Sequence, residues 1–106
     1  EIMVSGVEIG AVVSVCLTVL KGVSIDNPRL EDAENIYTIA FSEAPENEIY
    51  TATKDMCGIL QKNLGYTLNE AGMLMSAAGN LQFCQVVDPE RTVRMSIPKT
   101  ICDKVL

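Results

Sequence analysis

Two helix-period stretches set among short β-rich runs predict an α+β fold, with a mostly antiparallel sheet carrying both helices on one side. Three observations carry this reading. Apolar residues recur at helical spacing over 46–64 and again over 67–78. Runs rich in Tyr, Thr, Ile and Val lie on either side of these stretches. The last two runs, 81–87 and 93–97, are joined by Asp88-Pro89-Glu90-Arg91, with Pro at the second turn position as type I turns favour, and so read as a hairpin. A chain of 106 residues fits one modest core. With 48% hydrophobic and 21% charged residues and no Trp, that core is built from Val, Ile, Leu, Met and Ala.

The chain opens in what reads as mid-strand. Val7, Ile9, Ala11, Val13, Val15, Leu17 and Val19 alternate at period two, and the opposite set becomes apolar after Glu8 and Gly10. Both faces of the later half should therefore be covered, and Lys21-Gly22 ends the strand. Residues 24–35 read as a loop, with turn chemistry at Asp26-Asn27-Pro28 and a solvated acidic face at Glu31, Asp32 and Glu34. Ile36–Phe41 is the next strand. The 46–64 helix buries Ile49, Ala52, Met56, Ile59 and Leu60, carries acids near its start and Lys62 near its end, and stops at Gly65. Gly58 inside it implies a close neighbour. Thr67 and Glu70 form a capping box ahead of a stripe of Leu68, Ala71, Leu74, Met75 and Ala78, which Gly79-Asn80 closes. A short turn is expected within 101–106.

Composition narrows the function. A net charge of −6 disfavours nucleic acid and anionic membrane surfaces. The apolar run Ile9–Leu20 is about half the roughly 20 residues of a spanning helix, and no basic segment precedes it as in a signal peptide. Cys16, Cys57, Cys84 and Cys102 form no C-x-x-C pair, and no His is present to complete a zinc set. They read as reduced thiols of a cytoplasmic protein. Ser76 lacks a nucleophile elbow and a base, Lys54 and Lys99 stand alone, and no spacing favours a Cys84–Lys99–glutamate set. Glu1 and Glu8 differ, as carboxylates heading an apolar strand. An offset of seven puts them on opposite faces unless a bulge at Gly6 brings them together, and carboxylates serve as general bases or hard-metal ligands. Solvation of a strand end is the plain alternative.

Several segments together resemble the C-terminal part of the acetamidase/formamidase family. These are Glu1-Ile2-Met3-Val4-Ser5-Gly6-Val7-Glu8, with glutamates seven apart; the strand ending Leu20-Lys21-Gly22; Tyr37-Thr38-Ile39; Gly65-Tyr66-Thr67-Leu68-Asn69-Glu70-Ala71; Ser76 followed by Leu81 through Gln85-Val86-Val87-Asp88; and Ile97-Pro98-Lys99. Val4 departs from the family's usual glycine and Asn80 from its usual aspartate. The family's His- and Asp-bearing segments, and the Gly-Asp-Gly that precedes the first glutamate, have no counterpart here.

The resemblance implies that residues 1–22 end a β-sandwich or jelly-roll body and that 23–106 form a C-terminal α+β domain. It implies hydrolysis of formamide or acetamide by metal-assisted water attack. Glu1 would be catalytic, as metal ligand or general base, and Glu8 would orient it. A divalent metal would be held mostly by residues outside this chain. The expected partners are the N-terminal portion of the same enzyme, a small amide and further copies in a homo-oligomer. The competing expectation is a non-catalytic binding or assembly module of the same fold.

Overall fold

Cross-strand pairing of β-branched and aromatic residues organises the molecule. The computed structural model describes residues 1–106, the side chain of Pro45 excepted. Its elements are β1 (Arg29–Glu31), β2 (Asn35–Ser42), α1 (Pro45–Leu64), α2 (Leu68–Ala78), β3 (Asn80–Gln85) and β4 (Arg91–Pro98). The strands make one sheet in the order β1-β2-β4-β3, each neighbour antiparallel. The predicted α+β class, with two helices on an antiparallel sheet, is thus observed.

The register decides which side chains meet the helices. Ile36 pairs with Ile97, Thr38 with Met95 and Ala40 with Val93. These six are buried, and with Ala52, Met56, Ile59 and Leu60 of α1 most of them make the core. The buried Thr38 hydroxyl donates to the Ala52 carbonyl at 2.6 Å and fastens β2 to α1. Leu60 is fully buried while Leu17 is 91% exposed. Leu60→Ala should therefore cost about 2–5 kcal/mol, against under about 0.5 kcal/mol for Leu17→Ala. Urea unfolding of the two variants of this chain checks the contrast.

The helix boundaries follow local chemistry. Gly65 ends α1 at φ 70, in the left-handed region, with its N–H donating to Gln61. The capping box at α2 is complete: Glu70 N–H donates to Thr67 Oγ1, and Thr67 N–H donates to the Glu70 carboxylate at 2.8 Å. These bonds hold the Glu70 carboxyl below its ordinary range.

Four expectations need correction. Leu68 is 63% exposed and lies off the buried stripe, because α2 buries only Ala71 and Met75 fully. Gly58 has no close neighbour: an added Cβ would meet nothing within 4 Å among the described residues. Gly58→Ala should therefore raise stability by about 1 kcal/mol, read as a shift of the urea midpoint. The expected 24–35 loop contains β1. The acids around it are not simply a wet face, since Asp32 builds the turn into β2. Its carboxylate accepts from the N–H of Glu34 and of Asn35, both at 2.8 Å, and from the Tyr37 hydroxyl at 2.6 Å.

These bonds, the Tyr37 hydroxyl foremost, lower the Asp32 pKa from 3.8 to about 2, and the same contact raises the Tyr37 phenol. The folded carboxyl is the stronger acid, so its contribution is complete above pH 3.8 and is lost as pH falls through about 2. Carbon-detected NMR titration should place the Asp32 midpoint near 2, and Tyr37→Phe should raise it.

Residues 1–22 form no strand ladder within this chain. Val7, Ile9, Val12, Val13, Val15, Leu17 and Val19 are exposed. Their alternation is genuine, yet a strand exists only against a neighbour, and among the described residues none pairs with 5–20. No helix is long and apolar enough to cross a membrane among the described residues.

Candidate functional site

Among the described residues, the hydrogen bonds that join the N-terminal segment 1–22 to the domain are made by Glu1. A bulge in β3 sets it up: Phe83 pairs with Val93 and Gln85 with Thr92, leaving Cys84 as the extra residue. The Glu1 amine donates to the Cys84 carbonyl at 2.8 Å, and the Val86 N–H donates to the Glu1 carbonyl at 2.9 Å. This pair of bonds straddles Gln85 as a parallel bridge does. Glu1 is therefore held through its main chain at the outer edge of β3.

Gln85 is also a wall of a cavity of about 400 Å³, together with Phe41, Thr92, Glu43, Asp88, Pro89 and Glu90. Phe41 and Thr92 pair across β2 and β4 on the face turned away from α1. The hairpin tip supplies Asp88 and Glu90 and the β2–α1 turn supplies Glu43, with Asp88 at φ 67, a left-handed conformation that aspartate tolerates better than most residues. Three carboxylates make the cavity electronegative.

The predicted site residues are only partly assembled. Glu1 is bonded through its backbone to the residues on either side of Gln85 but is not among the residues lining this cavity, and its exposed carboxylate makes no hydrogen bond or ion pair among the described residues. Glu8 is exposed, and no hydrogen bond joins it to Glu1 among the described residues. The described residues also contain no cluster of three His, Cys, Asp or Glu able to hold a metal ion. The carboxylates are chemically suited to a hard divalent cation, but they do not converge into a site for one. Ser76 donates to the Gly72 carbonyl at 3.0 Å, an ordinary helix interaction. Lys99 pairs with Glu31 at 3.5 Å.

One carboxylate of consequence escaped the sequence reading. Glu48 is fully buried near the start of α1, and neither of its oxygens has a hydrogen-bond partner among the described residues. The signal was present: Glu48 precedes Ala52 by four residues and Met56 by eight, which is the core phase of α1.

No protein-family model matches the sequence, and no curated protein matches it. Solved structures do match. A predicted acetamidase/formamidase from the thermophile Thermoanaerobacter tengcongensis is 34% identical with a TM-score of 0.73, over 79% of this chain and 28% of that one. An acetamidase from Bacillus halodurans is 35% identical with a TM-score of 0.68, over 74% and 26%. An acetamidase from Yersinia enterocolitica is 29% identical with a TM-score of 0.73, over 77% and 25%. This chain thus spans little more than a quarter of the length of the structures it matches. The resemblance read from the sequence is borne out, and the match is consistent with a C-terminal portion of such a protein.

Proposed function

We propose that this chain, similar in fold and sequence to part of the acetamidase/formamidase structures, belongs to an amide hydrolase that converts formamide or acetamide to the carboxylate and ammonia. The observation that carries the reading is the combination of 34% identity and a TM-score of 0.73 over 79% of the chain. The coarse activity, amide hydrolysis, follows from what those proteins are. The substrates, the N-terminal portion and the homo-oligomer rest on the resemblance, and the placement of Glu1 on this chain's own residues.

In this reading residues 29–98 are scaffold, and the main-chain bonds to β3 position Glu1. Its carboxylate takes a proton from a water molecule, the water oxygen adds to the amide carbonyl, and the C–N bond then breaks as the nitrogen leaves protonated as ammonia. Glu8 orients Glu1 once the apolar segment 7–20 is paired. The covering sheet belongs to an N-terminal portion of the enzyme. That portion also contributes the remaining catalytic groups, and further copies assemble into a homo-oligomer. No step here runs through a metal, since the described residues form no set of ligands for one.

Reconstitution tests the reading. Formamide and acetamide hydrolysis should be absent with this chain alone and appear when the N-terminal portion of an acetamidase-like enzyme is supplied. A well-folded complex without turnover of either amide would refute it. That outcome would favour the second reading, an assembly module, which draws on Glu1 and Glu8 making no hydrogen bond to one another among the described residues.

A further inference from the structure

On the opposite face of the sheet, three sulfur side chains from three different elements meet at one opening. Cys57 of α1, Met75 of α2 and Met95 of β4 line a cavity of about 410 Å³ together with Thr53, Gly72 and Ser76. The cavity exists because α2 packs on α1 and touches the sheet only lightly at β4. Cys57 Sγ and Met75 Sδ are 3.3 Å apart. None of the three residues is more than 9% exposed, and all three line the cavity. No carboxylate, lysine or arginine lines it.

We propose that this cavity binds one soft monovalent cation, Cu(I) or Ag(I), through the Cys57 thiolate and the Met75 and Met95 thioethers. This inference is independent of the amide-hydrolase reading. A thiolate with thioethers is a donor set that selects soft cations over magnesium, calcium or manganese. Apolar walls favour an ion whose charge the thiolate cancels over one that would leave net charge buried.

The geometry is within reach. With metal–sulfur bonds of about 2.3 Å, the 3.3 Å Cys57–Met75 sulfur spacing subtends about 90° at the ion, and spreading that pair by about 0.7 Å opens the angle to the trigonal value. Methionine has three rotatable bonds with which to make that adjustment. Binding is balanced by exchange: the cation replaces the Cys57 thiol proton, the sulfur–metal bond forms as the S–H bond breaks, and one proton goes to solvent. Burial raises the Cys57 thiol above its ordinary range, so the proton competes with the metal across neutral pH and affinity should rise about tenfold per pH unit.

The test uses the full chain and Ag(I) alone. Of the five methionines, Met75 and Met95 should show shifted ε-methyl carbon resonances after one equivalent, while Met3, Met56 and Met73 stay in place. In a variant with Cys16→Ser, Cys84→Ser and Cys102→Ala, calorimetry should find one ion bound and one proton released. On that background Cys57→Ser should abolish binding, and Met75→Leu should weaken it at least tenfold. Unmoved Met75 and Met95 resonances in the unmodified chain, or unchanged affinity after Met75→Leu, would reduce the event to capture by a thiol and overturn the proposal. So would an affinity that does not change with pH. The resonance measurement needs no substitution, so it decides the matter even where a variant misfolds.

Discussion

If the proposed amide-hydrolase reading holds, Glu1→Gln in the full-length protein should lower kcat/KM for formamide at least a hundredfold and leave the unfolding midpoint where it was. The size follows from general-base catalysis, which contributes roughly 10²–10⁴ in rate. The separation of activity from stability follows from the geometry. Glu1 is attached to β3 through its amine and its carbonyl, and both bonds survive a change of side chain. The carboxylate is exposed and makes no bond among the described residues, so its replacement removes no folding interaction. A loss of turnover with an unchanged midpoint therefore reports chemistry. Near-normal turnover would remove Glu1 from the mechanism.

Glu48→Met raises stability by about 1–3 kcal/mol, the usual cost of burying polar atoms without partners. A carboxylate near a helix N-terminus gains about 0.3–1 kcal/mol from the helix dipole, which is too little to offset that burial. Methionine nearly matches glutamate in length and carries no hydrogen-bonding oxygen, so it should fill the same space against the core. Glu48→Gln makes the useful control: it keeps two polar atoms in the same place, and should gain less. Urea unfolding at neutral pH measures both. If Glu48→Met is destabilising instead, the carboxylate has a partner, such as a buried water, that earns its place in the core.

Much of the fold was legible because local chemistry and tertiary packing agree. The capping box at Thr67 and Glu70, the left-handed stop at Gly65 and the core phase of α1 are all local signals, and each was realised. β1 was not legible. Its turn depends on one aspartate side chain gathering two amides and a phenol, and Asp32 looks in sequence like any surface acid. Leu68 was misplaced because hydrophobic spacing alone does not say how wide a strip of α2 is covered. For the site, residue type drew attention to Glu1 and Glu8, but their relation depends on a pairing partner for residues 5–20 that sequence cannot supply. The bulge at Cys84, which gives Glu1 its foothold, carries no mark in the sequence: Cys84 sits in an unbroken β-rich run.

Only Gly79 separates the end of α2 from the first residue of β3. A Cβ there would come within 2.5 Å of the Met75 carbonyl oxygen, so a larger residue would force the joint apart. The helix and the strand are consequently geared together. Pushing α2 along its axis drags Asn80, and the far end of the same strand carries the attachment of Glu1. The strand that carries the Glu1 attachment therefore begins one residue beyond α2, and a bulge at Cys84 lies between the two ends.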